Sequence, residues 1–264
     1  MQKFPIYVCL ISGAEARRIG KALASVAEWT SEIIVVMNPD VTDGTEEVAQ
    51  LHGAKVFREP WKGFAAQKNS ALEKATQKWM LGLDADEVVS AALRDEIIQT
   101  LADAPVAARY AAYSFPRCSL YCGRWIRHGD WYPDRCVRLW QRGQGRWEGA
   151  DPHPHFAVNG AVGRLRGDLE HHSMESINKQ IEKTVAYADE FARASVSKGR
   201  NVTWADLWFR PPWRFVRAYF FKRGFLDGWQ GFSIAWLTAF YTFLRYVRVR
   251  EEQAKLAPRA KTHL

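Results

Sequence analysis

Cysteine is scarce in this 264-residue chain, with Cys9, Cys118, Cys122 and Cys136 making up the whole complement. Cys9 lies in an apolar run, and the opening MQKFPIYVCLIS has no small-residue cleavage site of the secretory kind, so a reduced, cytosolic chain is expected. Cys118, Cys122, His128 and Cys136 are zinc-ligand types, but their spacing matches no strong signature, and buried free thiols are the better reading. No internal repeat and no low-complexity linker is present. An apolar run long enough to span a bilayer, roughly 20 residues, is also missing. The uncharged stretch Gly228 to Leu244 sits at the lower limit and includes Gln230, Ser233 and two threonines. Acid is lacking in one place only. From Arg193 to Leu264 there are 14 basic and 4 acidic residues, whereas the preceding part holds 23 and 25. The net charge of +8 therefore belongs to the C-terminal quarter, where it invites an anionic membrane or a nucleic acid.

A globular composition is present, with 47% hydrophobic and 25% charged residues. Strand and helix signals alternate through the first hundred residues. Apolar runs at 6–12, 32–37, 54–59 and 79–85 read as strands. The periodic segments 15–28, 43–53 and 65–75 read as helices, the first with its apolar face at Ile19, Leu23, Val26 and Ala27. This pattern predicts right-handed βαβ units and a mostly parallel sheet, which binds ligands at the C-terminal ends of its strands. The stretch WMLGLDADEVV ends its apolar run at Asp84, Asp86 and Glu87, at one such end. The acids are solvated turn residues, or Asp84 caps the next helix, or Asp84 and Asp86 hold Mg²⁺ or Mn²⁺ against a diphosphate. Residues 105–165 are irregular and rich in Trp, Tyr, Arg and Gly, with short strands such as YAAYSFPRC and CVRLWQRG, as expected of loops and hairpins completing a cleft, and 175–198 again has helical periodicity.

Residues 204–246 carry sixteen of the thirty-five aromatics, interleaved with Arg and Lys. Such a segment fits a bilayer interface, where rings sit at headgroup depth and Arg meets anionic lipid. A helical hairpin covering the core is the plainer alternative. Single-stranded nucleic acid also takes aromatic and basic side chains, but no nucleic-acid module accompanies them.

The stretches ISGAEARRIGKALASV, EIIVVMNPDVTDGTEEVA, GAKVFREPWKGFAAQKNSALEKA and WMLGLDADE occur in that order. Together they resemble the nucleotide-sugar half of the family 2 inverting glycosyltransferases, in particular lipopolysaccharide core β-glucosyltransferases. The likeness continues through GDWYPDRCVRLWQRG, VNGAVGRLRGDLEHHS and RFVRAYFFKRGFLDGWQGF. It implies an α/β, Rossmann-like nucleotide-diphospho-sugar transferase fold of GT-A type over residues 1–172. A helical region over 173–264 would follow, its segment 204–250 lying on the cytoplasmic face of an inner membrane. It further implies a UDP-sugar donor, a lipid-linked oligosaccharide acceptor, a divalent metal, and no nucleic-acid partner.

Residue by residue, the resemblance puts Glu15 near the nucleobase, although Ala14 replaces the family's Asn. Asp43, with Gly44 and Thr45, matches an Asp-Gly-Thr motif. Lys68 and Asn69 lie near the donor, Asp84 on the nucleotide, Asp86 on the metal, and His171 within reach of metal or diphosphate. Arg135 and Arg138 would meet phosphate or acceptor. Asn38 stands where the family usually has an Asp, which leaves the base preference open. Pro154 follows His153 where the family tends to have His-Glu, so the base that takes the acceptor proton falls to Asp151, with Asp134 and Asp130 next. Two other readings remain: a transferase for another surface polysaccharide or a glycoprotein, and a homologue that binds nucleotide sugar or membrane without turnover.

Overall fold

A computed structural model describes residues 3–149, 151, 154–174 and 176–256. They form two compact units. The first comprises the described residues to Cys118 together with Asp134–His172, and the second comprises Ser119–Pro133 with the described residues from Ser173 on.

In the first unit the chain alternates β1 (Phe4–Ser12), α1 (Ala16–Ala27), β2 (Thr30–Met37), α2 (Thr45–Leu51), β3 (Lys55–Arg58), α3 (Phe64–Glu73) and β4 (Trp79–Gly82). Next come β5 (Glu87–Val89), α4 (Ala91–Ala102), the single-turn α5 (Ala104–Ala107) and β6 (Ala112–Tyr121). After β7 (Arg124–Trp125), the chain returns through β8 (Asp134–Gln141), β9 (Gly145–Glu148), β10 (His155–Val158), β11 (Val162–Arg164) and β12 (Leu169–Met174). The main sheet runs β3-β2-β1-β4-β8-β6-β12-β5. Its first four strands are parallel. Beyond them β4 pairs antiparallel with β8, β8 with β6 and β12 with β5, while β11 joins β6 in parallel. The expected parallel sheet is therefore one half of a mixed one.

Strand β1 shows why its sequence is apolar without alternation: both faces are covered. Ile6, Val8 and Leu10 pack with Ile19, Leu23 and Val26 of α1 and Leu93 and Ile97 of α4. Tyr7 and Cys9 face the other way, onto Ala71, Met80, Trp140 and Phe156.

The second unit is built of helices: α6 (Ile177–Ser197), α7 (Trp204–Trp208), α8 (Arg210–Val216), a π-turn over Arg217–Phe221, a 3₁₀ turn over Gly224–Asp227, and α9 (Gly228–Leu256). Helix α6 does not bury its most apolar positions. Ile177, Ile181 and Val185 are at least a third exposed, whereas Gln180, Thr184, Ala188, Ala192 and Ser195 are buried. Small side chains suit a close approach to α9, whose buried residues include Ala235 and Ala239, while its Gly231 abuts the 3₁₀ turn at Gly224. Gln180 is satisfied by the Tyr121 hydroxyl, which donates to its Oε1. The outer face of α9 carries Trp229, Phe232, Trp236, Phe240 and Phe243, each 42–59% exposed. Their spacing of three and four residues makes one stripe. Phe232 and Trp236 meet Phe215 of α8 edge-on at 5.7 and 5.9 Å, so the stripe continues onto a second element. No helix among the described residues is long and apolar enough to cross a membrane.

Candidate active site

Strand β4 ends at Gly82 and delivers Asp84 to the C-terminal edge of the parallel strands. The repulsion expected among its acids is cancelled by cations from three other elements. Lys68 on α3 donates to Asp84 Oδ1 at 2.5 Å. Arg138 on β8 bridges Asp84 Oδ2 (2.5 Å) and Glu87 Oε1 (2.6 Å). Arg117 on β6 reaches Glu87 at 3.4 Å and Asp134 at 2.6 Å. Glu87 Oε2 accepts the Asp84 backbone N–H at 3.0 Å. Three carboxylates thus alternate with three cations. Burial alone would raise the Asp84 carboxyl, but Arg138 and Lys68 outweigh it and hold the group well below the usual carboxylate range.

Asp86 stands apart from that chain. Its carboxylate lies 3.4 Å from His171 Nε2 on β12, and its carbonyl accepts the His172 N–H at 2.8 Å. Burial pushes the Asp86 carboxyl up, but the hydrogen bond and charge of His171 outweigh it, and the group sits below its ordinary value. The sequence groups Asp84, Asp86 and His171 as one ligand set. Among the described residues, no group of three or more His, Cys, Asp or Glu is arranged to hold a metal ion, which applies equally to the zinc reading of Cys118, Cys122, His128 and Cys136. Asp86 and His171 nonetheless offer one oxygen and one nitrogen side by side. That donor set fits a Mg²⁺ or Mn²⁺ ion completed by diphosphate oxygens and water, not a closed protein cage.

Lys68 and Arg138 also lie over the Trp147 indole, at 4.5 and 5.6 Å from its centre. Trp147 is fixed by Asn69, whose amide donates to the Trp147 carbonyl (2.9 Å) and accepts its N–H (2.8 Å). Asn69 therefore clamps the backbone of β9, a partner 78 residues away. A recess at the ends of β1 and β4 is lined by Leu10, Ile11, Lys68, Leu83 and Trp147. Behind it Trp140 stacks on Phe156 (3.9 Å between centres) and meets Trp147 edge-on. Gly82 is required here, since a Cβ would sit 2.6 Å from the Trp140 ring.

Asp43 accepts N–H groups from Thr45 and Ala16, and Thr45 Oγ1 in turn accepts the Glu15 N–H at 2.9 Å. The Asp-Gly-Thr motif thereby ties the start of α2 to the loop after β1 that carries Glu15. The Thr45 hydroxyl is the main cause of a lowered Asp43 pKa. Asn38 opens the turn after β2, its carbonyl accepting the Val41 N–H. Arg135 donates to the carbonyls of Ser114 and Leu165, both at 2.7 Å, and so pins β8 to β6 and the end of β11.

The three carboxylates considered as bases have different surroundings. Asp130, in the second unit, is enclosed by Arg214, Arg217 and Lys222 at 2.7–2.9 Å. Asp134 pairs with Arg117. Asp151 is exposed, and its Oδ1 accepts the Phe64 N–H at 2.9 Å, at the start of the helix that carries Lys68. Gly63, at φ 92°, leaves room for it, because a Cβ there would lie 2.8 Å from Asp151 Oδ2. His153 lies outside the described residues.

Arg117 and Trp147 join the site without having been singled out in the sequence, and Glu87, named there among the acids, was given no role of its own. Glu87 had a signal, since a third acid beside Asp-x-Asp needs a buried counterion.

The family model for "Glycosyl transferase family 2" matches residues 7–171. The chain belongs to that family. It is 31% identical to "Lipopolysaccharide core biosynthesis glycosyltransferase LpsC" of Rhizobium meliloti, over 96% of this chain and 94% of that protein. It is also 31% identical to an "Uncharacterized glycosyltransferase" of Rickettsia typhi, over 97% of this chain and 89% of the relative. Among solved structures, the mannosyltransferase PcManGT from Pyrobaculum calidifontis, in complex with GDP-Man and Mn²⁺, aligns with a TM-score of 0.49 at 16% identity, over 97% of this chain and 76% of that one. This family 2 member is thus a glycosyltransferase with a GT-A-like fold and a C-terminal helical extension.

Proposed function

We propose that this glycosyltransferase moves a hexose, glucose from UDP-glucose, onto a lipopolysaccharide or lipooligosaccharide core acceptor with inversion at the anomeric carbon. The likeness to LpsC supports this most, because it runs through the helical region as well as the catalytic unit. In this reading Asp86 and His171 hold Mg²⁺ or Mn²⁺, which when bound supplies positive charge to the diphosphate leaving group. Lys68 meets the diphosphate, Asp84 orients the nucleotide, and Glu15 lies near its base. Asp151 accepts the proton of the acceptor hydroxyl as the new C1–O bond forms and the bond from C1 to the UDP oxygen breaks. The enzyme works at the cytoplasmic face of the inner membrane, where its acceptor resides. The aromatic stripe on α9 and the basic residues around it suit that interface.

UDP release from UDP-glucose, Mn²⁺ and a truncated lipopolysaccharide tests the assignment. The Asp86→Ala variant should lose at least about a hundredfold in rate, the scale of one lost electrostatic contact in the transition state. Equal release by both proteins rejects the assigned site. Asn38 favours a second reading, in which another nucleotide sugar is the donor. Product masses from a donor panel separate the two.

A further inference from the structure

We propose that Arg200, Arg210 and Arg245 form a phosphate-ester site in the second unit, on a platform made by Tyr246 and Phe191. This site is independent of the sugar-transfer reading, since none of its residues belongs to the acid cluster of the first unit.

The three guanidinium carbons lie 5.5, 5.7 and 4.8 Å from the centre of the Tyr246 ring. Arg200 and Arg245 also lie over Phe191, at 5.4 and 4.8 Å. Tyr246 is 1% exposed, and its hydroxyl accepts from Arg210 Nη1 (3.3 Å) and Arg245 Nη2 (3.2 Å). Helix ends and packing set these positions. Arg200 follows α6, its N–H bonded to the Ser195 carbonyl and its own carbonyl to Gln253 Nε2. Arg210 opens α8, and Arg245 precedes Tyr246 on α9.

Charge is what this cluster lacks. Asp206 pairs with Arg210 Nε at 2.6 Å, while its other oxygen accepts from the Thr203 N–H and hydroxyl that cap α7. Among the described residues no ion pair engages Arg200 or Arg245, and the Arg245 Nε is buried without a hydrogen-bond partner. Three positive groups thus converge on one ring with a single carboxylate among them. Aromatic faces tolerate guanidinium groups, but they do not neutralise them. A phosphate does, and its tetrahedral oxygens match the planar forks of several arginines at once. The chemistry is that of a phosphomonoester or diester, supplied by a lipid headgroup or by free phosphate.

The test uses the full chain and three proteins: wild type, the pair Arg200→Gln and Arg245→Gln, and a control pair Arg193→Gln and Lys198→Gln that removes equal charge from the same unit. One arm measures flotation with phosphatidylcholine vesicles containing phosphatidate. The other titrates inorganic phosphate calorimetrically and as a competitor of the vesicles. The arginine pair should weaken binding at least about tenfold, the scale of lost charged hydrogen bonds, with the control pair close to wild type. Vesicle binding that phosphate does not displace assigns the lipid headgroup; calorimetric binding of phosphate with displacement assigns the free ion. Equal loss in both variant pairs, or no loss in the arginine pair, overturns the site. If near-ultraviolet circular dichroism shows the double variant misfolded, Arg200→Gln alone, at an exposed position, carries the same comparison.

Discussion

Replacing Glu87 by Gln removes one negative charge and almost no volume from the middle of the charge chain. Glu87 is fully buried, and Arg138, its nearest cation, is 5% exposed. Removing one partner of a buried ion pair costs about 3–5 kcal/mol when the other is left uncompensated. Here Asp84 still faces Arg138, but Gln has one accepting oxygen for the two that Glu87 uses, so either the arginines or the Asp84 N–H lose their acceptor, and about 3 kcal/mol is expected. For a chain of this size that corresponds to a fall of about 5–10 °C in melting temperature. The loss should be local to the first unit. Native-state hydrogen exchange at Met80 and Leu81 of β4 and Leu139 of β8 reads it there, away from the helical unit. Adding Arg138→Met should couple with Glu87→Gln by about 2 kcal/mol in a double-mutant cycle. Protection of those amides unchanged within about 0.5 kcal/mol in the single variant, the usual spread for substitutions that touch no special feature, would refute the idea that Glu87 balances Arg138.

Glu59 is lowered to about 2 by hydrogen bonds from Lys62, Lys74 and Ser70. Its folded value lies below its unfolded one, so its contribution is present above pH 4.5 and is lost as pH falls towards 2. Glu59→Gln should cost about 1–2 kcal/mol at neutral pH, allowing for solvent screening, and flatten the acid limb of the stability curve. An acid limb as steep as that of the wild type would count against it. Asp151→Asn should cut kcat by about 10²–10⁴ with donor affinity unchanged, the range for a lost general base; calorimetry with UDP and single-turnover rates decide, and an unaltered kcat removes Asp151 from the mechanism. Combining Trp229→Ser, Phe232→Ser and Trp236→Ser should reduce co-sedimentation with anionic vesicles at least about tenfold, since each ring contributes on the order of 1 kcal/mol or more when it leaves water. Sedimentation equal to wild type would show that the stripe is not the membrane face.

The parallel half of the fold was legible because its central strands β1, β2 and β4 are apolar runs and the helices between them have apolar faces, both local properties. In the antiparallel half, YAAYSFPRC and CVRLWQRG read as strands and fall on β6 and β8, but their pairing across the sheet was not legible. Strand β8 is DRCVRLWQ, and two of its residues, the exposed Arg135 and the buried Arg138, donate hydrogen bonds to neighbouring segments, so their polarity does not mark an edge strand. The motif Lys68-Asn69 marked a functional place, but the Asn69 clamp on Trp147 and the Lys68 contact with Asp84 join segments far apart in the chain, which periodicity does not report. Helix α6 was found by its apolar repeat although it buries a different face, where small and polar side chains permit close packing with α9.

Gly82, Trp140, Trp147 and Phe156 also fix a dimension. The strand that presents Asp84 rests against Trp140, and the same stack anchors β9 and β10, the two strands on either side of Asp151. Acid cluster and base candidate are consequently mounted on a common frame of rings. In the proposed reading the girth of an indole and a phenyl group therefore sets the spacing between acid cluster and base, and trimming Phe156 should change which acceptors are used before it changes how fast a fitting one reacts.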